Sequence, residues 1–236
     1  IWDKTYQNSL REVNPGDSDS VSFSVSPLTL FYSEGGLLPN PLISIEVGIE
    51  GSQSVEGVNS TNLENSSSVE VRIISDVGFS AKALYYSGPF TNSGPIPPRA
   101  EQETTYAIVW TLSNTSNSIS STEINSTLPP WVSFEGSISP AGEALTYNAS
   151  TRSIHWKADR IPKGAGLIGA SRSVAFKISL KPSSSDVGGT PILINSAILT
   201  GHDDFANVDV RVNKGSLTTN LESDPAFPKN GGNVVP

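Results

Sequence analysis

The chain has no cysteine and no methionine among its 236 residues, and only two histidines. The missing thiols exclude disulfides, a cysteine nucleophile and any cysteine-ligated zinc. A thiol-free chain also suits an exported protein, in which stray thiols would mispair on oxidation. Charged residues make up only 16% of the chain, and its 15 Lys and Arg are scattered, so no basic stripe exists to neutralise a phosphate backbone. The net charge of −8 and pI near 4.7 point the same way, away from nucleic acid and from an anionic membrane surface. No apolar run approaches the ~20 residues of a membrane-spanning helix. Starting at Ile1 with no Met anywhere, the chain reads as a mature form or an excised segment, with a signal peptide or anchor expected upstream. No glycine-rich phosphate loop or cofactor fingerprint occurs, so no cofactor is expected beyond the candidate calcium discussed below.

What the chain does contain is a period of two. Tyr106-Ala-Ile-Val-Trp-Thr-Leu-Ser-Asn114 places Tyr106, Ile108, Trp110 and Leu112 on one face. Leu128–Phe134, Tyr147–Trp156, Val174–Leu180, Pro191–Thr200 and Val208–Val212 follow, separated by turn residues. Short alternating runs between turns, with no helical period of any length, predict an all-β fold of antiparallel sandwiches. Ser, Thr and Asn supply the polarity that charge does not, as fits exposed pleated strands.

Earlier in the chain, Asn14-Pro-Gly-Asp17 reads as a turn. Val21, Phe23 and Val25 alternate with serines, and Ile43, Ile45, Val47 and Ile49 alternate with Ser44, Glu46, Gly48 and Glu50. Gly51–Ser68 is polar and reads as a long exposed loop; Val69–Ile73 and Val77–Ala83 read as strands. Residues 87–98 hold four prolines and two glycines, a composition that marks a stiff linker. These boundaries predict two tandem antiparallel sandwiches: an N-terminal one over 1–87, a linker over 88–99, a second sandwich over 100–216 and an extended C-terminal tail over 217–236.

The second region resembles a known family. Its strand Tyr106–Asn114 follows Y-x-I-x-x-x-(V/L)-x-N. Thr127-Leu-Pro-Pro-Trp-Val-Ser-Phe134 follows T-L-P-x-(W/G)-(V/L)-x-F, and the hairpin Tyr147–Trp156 follows Y-(N/D)-x-x-(T/S)-x-x-(I/L)-x-W. Val174–Leu180 and Asn195–Asp203 match the later V-x-F-x-(V/I)-x-(L/V) and N-x-A-x-L-(T/S)-G-x-D segments. Order and spacing over 100–213 resemble the bacterial surface repeat known as domain of unknown function eleven, as in long hypothetical surface proteins of candidate-phyla bacteria. The resemblance implies an immunoglobulin-like sandwich, usually in tandem, in an exported envelope protein. It carries no catalytic motif.

Candidate chemistry is sparse. A Ser-His-Asp site needs a hydroxyl and a carboxylate on His155 or His202; alternation turns His155 outward, and His202 reads as a turn residue. Asp203, Asp204 and the nearby Asp209 are the best cluster of oxygen ligands, a candidate calcium site, against the plainer reading of turn-capping carboxylates. Asp17 and Asp19 form a weaker second cluster. Glu101 with Glu103, and Glu46 with Glu50, share strand faces but read as solvated charges. Asn59, Asn65, Asn114, Asn125 and Asn148 head N-x-[ST] sequons. Trp110 and Trp156 belong to the core by alternation, leaving Trp131 as the least buried tryptophan. The expectation is a non-enzymatic module of an extracellular, cell-surface protein. It spaces or self-assembles with other copies or envelope components; the alternative is an adhesin module that binds a glycan or a host-cell protein.

Overall fold

The computed structural model describes residues 5, 8–14, 16–26, 36–53 and 60–236. The chain divides into two compact units, Ile1–Leu30 and Phe31–Pro236. In the first, a short 3-10 turn spans Asn8–Leu10. The Asn14 turn forms as its sequence predicts: Asp17 N donates to Asn14 O at 3.0 Å, with Gly16 at φ 94°.

Among the described residues, the regular elements of the second unit are all strands apart from one 3-10 turn over Ser184–Asp186. Its strands, in chain order, are β1 Leu42–Gln53, β2 Thr61–Arg72, β3 Val77–Leu84, β4 Thr104–Asn114, β5 Ile119–Thr127, β6 Val132–Ser139 and β7 Leu145–Asn148. They continue with β8 Ser153–Ile161, β9 Arg172–Leu180, β10 Ile192–Ile194, β11 Ala197–Asp203, β12 Val208–Lys214 and β13 Leu217–Thr218. One antiparallel sheet runs β12-β11-β5-β8-β7 and a second runs β3-β4-β9-β6. Their inner faces close one core. Tyr106, Ile108, Trp110 and Leu112 of β4 are fully buried, as alternation requires, against Ile124, Ile154, Trp156 and Leu199 of the other sheet. Trp110 meets Phe176 edge-on at 5.1 Å, and Phe134 stacks on Tyr147 at 5.0 Å. The all-β sandwich class stands.

The domain layout changes. β3, expected to end an N-terminal sandwich, pairs with β4 from Val77↔Asn114 to Leu84↔Ala107. Residues 88–99 are therefore a connection inside one sandwich, not a linker between two. The prolines do not free the segment, because backbone and side chains fasten it. Thr105 N donates to Ser93 O at 2.8 Å, Ser93 N to Thr105 Oγ1 at 2.8 Å, and the Tyr85 hydroxyl to Gly94 O at 2.6 Å. Gly94 is required there: its φ is 100°, and a Cβ would stand 2.3 Å from Glu103 O.

Nor is the tail a loose end. β13 pairs with β10, Val187 bridges Val234, and Arg99 bridges Val235. Leu221 and Val234 are buried, and Thr219 Oγ1 donates to Gly232 O at 2.6 Å. Pro191–Thr200 is split at Asn195-Ser196 into β10 and β11, which join different sheets. The expected loop Gly51–Ser68 supplies the end of β1 and the start of β2, with 54–59 outside the described residues.

β1 and β2 form a separate two-stranded hairpin, in register from Leu42↔Arg72 to Gln53↔Thr61. Opposed residues share a face. One face carries Ile43, Ile45, Val47 and Ile49 with Leu63, Val69 and Val71; the other carries Glu46, Glu50, Glu64 and Glu70. Within the expected first sandwich, this hairpin is the one sheet the described residues form apart from β3, which belongs to the second.

Candidate functional site

The candidate calcium ligands lie at the end of β11 and in the turn and strand that follow it. Asp203 is fully buried, and its carboxylate is occupied by backbone and amide donors. Oδ1 accepts from Phe205 N at 3.0 Å, Ala206 N at 2.9 Å and Asn117 Nδ2 at 3.1 Å. Oδ2 accepts from Ser75 N and Asn117 Nδ2, each at 2.8 Å. Burial on its own would raise the Asp203 pKa; the bonds from Ala206, Ser75, Asn117 and Phe205 outweigh it and hold the carboxyl below its ordinary value.

The other two aspartates turn elsewhere. Asp204 Oδ1 accepts from Ser120 Oγ at 2.5 Å, and its Oδ2 lies 3.6 Å from Arg160. Asp209 pairs with His202 at 2.8 Å across the β11–β12 ladder. Asp203, Asp204 and Asp209 therefore do not converge, and among the described residues no group of three His, Asp or Glu side chains is arranged to hold a metal. The physical reason is alternation: Asp203 faces the interior while His202 and Asp209 face out. Adding calcium or a chelator is accordingly expected to leave the thermal midpoint unchanged; a saturable rise with calcium would show a site after all.

Asp203 is one corner of a larger buried polar node. Ser75 Oγ donates to Asn114 Oδ1 at 2.6 Å and accepts from Ser116 N at 2.9 Å and Asn117 N at 3.1 Å. Asn114 Nδ2 donates to Asn117 O at 2.6 Å. The Asn that closes β4 and the Asp that closes β11 are thereby joined, one from each sheet, through Ser75 and Asn117. Arrays of this kind hold a sandwich end in one geometry because every unmade bond there is costly. The Asn114 sequon is buried inside it, whereas Asn65, Asn125 and Asn148 are exposed and Asn59 lies outside the described residues.

The histidines assemble no nucleophile. His155 stands 3.2 Å from Glu123 on the outer face, and His202 lies on β11 itself instead of the turn, which begins at Asp204. Its hydrogen bond to Asp209 is the main reason its pKa is raised. Among the described residues, neither ring carries a serine or threonine hydroxyl. Glu101 and Glu103 precede β4 and are exposed, with Lys181 3.6 Å from Glu101. Glu46 and Glu50 lie on the polar hairpin face. In the first unit, Asp17 accepts from Asn14 N and Nδ2, and Asp19 accepts from Ser9 Oγ and Ser20 N, as turn-capping carboxylates do.

Two surfaces remain. The first is the apolar hairpin face, where Val47, Ile49, Leu63, Val69 and Val71 are all exposed, Ile49 at 64%. The second surrounds Trp131, which is 45% exposed while Trp110 and Trp156 are fully buried. Its Nε1 donates to Ile192 O at 2.9 Å. Arg152, at φ 55° in the β7–β8 turn, holds the loop that carries Trp131: Nε donates to Leu128 O at 3.2 Å, and Nη2 to Pro129 O at 2.7 Å and to Val132 O. Beside it an open groove of about 550 Å³ runs between the end of the β5–β11 ladder and the β10–β13 pair.

Among the described residues, no helix is long and apolar enough to cross a membrane. No family model matches the chain, and no curated protein matches it. Among solved structures it is similar to BcpA, the major pilin subunit of Bacillus cereus, at 9% identity and TM-score 0.38, covering 80% of this chain and 62% of that one. It is similar to the full-length major pilin SpaD of Corynebacterium diphtheriae at 8% identity and TM-score 0.38, covering 85% and 64%. A GH20 exo-β-N-acetylglucosaminidase of Vibrio harveyi matches at 11% identity and TM-score 0.32, over 57% of this chain and 17% of the enzyme. The chain thus spans less than two thirds of each of these proteins.

Proposed function

We propose that this chain is a non-catalytic structural module of a bacterial cell-surface protein, and that it associates with other copies of itself through the β1–β2 hairpin. The setting is supported by the thiol-free composition and by the surface-repeat pattern of residues 100–213. The observation that carries the contact is the exposed apolar face of a hairpin whose two outer edges have no strand partner among the described residues. A two-stranded hairpin is marginal in water by itself, and an open apolar edge invites pairing.

A second copy fits the face well. Packing apolar face on apolar face by a two-fold axis leaves Glu46, Glu50, Glu64 and Glu70 of both copies pointing away from each other, so two acidic chains meet without opposing charge. Twelve residues span about 40 Å and two strands about 10 Å, so a face-to-face pair buries roughly 800 Å² in total. That lies below the ~1,200 Å² of stable interfaces, so one contact is weak and association depends on concentration or on many contacts in an array. Light scattering and sedimentation from micromolar to millimolar chain are expected to show reversible growth in mass. Val47→Glu with Ile49→Glu is expected to hold the protein monomeric, with the sandwich's thermal midpoint changed by no more than about 0.5 kcal/mol equivalent. A wild-type chain that stays monomeric at millimolar concentration, or assembly indifferent to the double variant, would sink the reading.

A further inference from the structure

We propose that the groove beside Trp131 binds a neutral oligosaccharide. None of the residues lining the groove belongs to the β1–β2 hairpin. In a chain of net charge −8, no charged side chain lines it. A phosphate, a nucleotide or an acidic peptide would require cations, and a basic peptide would require carboxylates. The polar lining is instead hydroxyl and carboxamide: Asn125, Thr127, Ser153, Asn195, Ser196 and Ser216. Such groups both donate and accept, which is the capacity needed to pair with sugar hydroxyls.

Two further features match a pyranose ring, which has polar edges and apolar C–H faces. Ile192 and Ile198 give the groove an apolar part. Trp131 does not itself line the groove, but its bond to Ile192 O sets an exposed aromatic side chain next to the lining. With the indole N–H engaged by Ile192 O, what the half-exposed Trp131 has left to offer a ligand is aromatic carbon, which suits C–H contact.

The surface is also built before any ligand arrives. Arg152 fixes the Trp131 loop through three carbonyls. Ser126 Oγ donates to Asn195 O at 2.9 Å, and Asn195 Nδ2 to Thr127 Oγ1 at 2.8 Å. A site already held in shape loses little entropy on binding. Its volume of about 550 Å³ lies within the ~300–1,000 Å³ of ligand sites, and its open form suits a chain laid along it.

The test uses the full chain, titrated with cellohexaose, chitohexaose and mannohexaose and followed by tryptophan fluorescence and calorimetry. Polygalacturonate and an uncharged Gly-Ser peptide serve as controls. At least one neutral hexasaccharide is expected to bind saturably and shift the emission. Trp131→Ala is expected to weaken it about tenfold. Ser216→Trp fills the groove from an exposed position without disturbing the Trp131 loop, and is expected to abolish binding with the fold retained by circular dichroism. Failure of all three neutral sugars to bind, binding that survives Ser216→Trp, or a preference for polygalacturonate or the peptide would each overturn the proposal.

Discussion

Replacing Asp203 with Ala is expected to lower the thermal midpoint by roughly 6–20 °C, the shift that about 3–5 kcal/mol produces in a chain of this size. The substitution removes a carboxylate that receives five hydrogen bonds and leaves Ser75 N, Phe205 N and Ala206 N without that acceptor, while Asn117 Nδ2 keeps only its bond to Ile73 O. Orphaned buried donors cost about 1–3 kcal/mol each, and part of that sum is recovered because a buried charge is no longer desolvated. Asp203→Asn keeps the shape but turns an NH2 group towards donors, so an intermediate loss is expected. Asp209→Ala, one strand away and exposed, is expected to stay within about 0.5 kcal/mol of wild type.

The same node predicts a pH dependence. The carboxyls of Asp203 and Asp224 are both held below their ordinary values, in each case by hydrogen bonds that overcome the opposing effect of burial. In the unfolded chain an aspartate protonates near its ordinary pKa of about 3.9. Over the interval below that value, the unfolded state binds more protons than the folded one, so stability rises with pH. The contribution is therefore complete above about pH 4 and is lost as pH falls through the folded values. Melts between neutral pH and strong acid are expected to show a steep fall below about pH 4 that is shallower in Asp203→Ala. An identical fall in wild type and variant would mean that Asp203 does not carry the effect.

How legible these features were in the sequence follows from how each is built. Alternation exposes a strand when its central inward positions are apolar, as Tyr106 to Leu112 are in β4 and Val174 to Leu180 in β9. β5 escapes because its inward residues include Thr122 and Ser126, and because a register shift at Ser121, φ 50°, breaks the period. β2 escapes because Asn65 and Ser67 sit on the apolar face opposite Ile49 and Val47. The Pro-rich 88–99 segment misleads for a different reason: composition reports that a segment cannot pair as a central strand, and says nothing about whether side chains pin it. The Asp203 node is drawn from three separated places, Ser75, the Asn114–Asn117 turn and Asp203, so no linear spacing announces it. The oxygen-rich run at 203–209 was visible, but its division into inward and outward side chains is set by where β11 ends. Trp131 was legible, because Pro129-Pro130 takes it out of the alternation; the groove beside it arises from the split between β10 and β11.

Deleting residues 217–236 is expected to cost more than any substitution in the tail, by enough to lower the midpoint beyond 10 °C or to prevent folding, the scale of a loss approaching about 5 kcal/mol. A tail rich in proline and glycine looks dispensable, and the packing says otherwise. Leu221 and Val234 fill the core, worth about 2 kcal/mol apiece when buried. Asp224 Oδ2 accepts from Tyr85 N and Tyr86 N, each at 2.7 Å, and its Oδ1 from Ser87 Oγ at 3.0 Å, so the tail caps the turn that leaves β3. At the far end, Ala100 N donates to Val235 O at 2.9 Å and Gly188 N to Val234 O at 2.8 Å, tying together the loops before β4 and after β9. Ordering twenty residues costs entropy, so the net loss is smaller than the sum of these contacts. It remains large because deletion also removes β13, the strand paired with Ile192 and Ile194 of β10. Point variants separate docking from mere length. Asp224→Ala is expected to give a substantial part of the loss. Gly232→Ala, whose Cβ would stand 2.5 Å from Thr219 O, is expected to release the end of the tail, while Gly215→Ala meets nothing within 4 Å and is expected to be silent. Protease digestion of the wild-type chain is the direct check: a docked tail resists cleavage after Lys229 as long as the sandwich is folded, and rapid removal of the tail without loss of the thermal transition would show it to be an appendage.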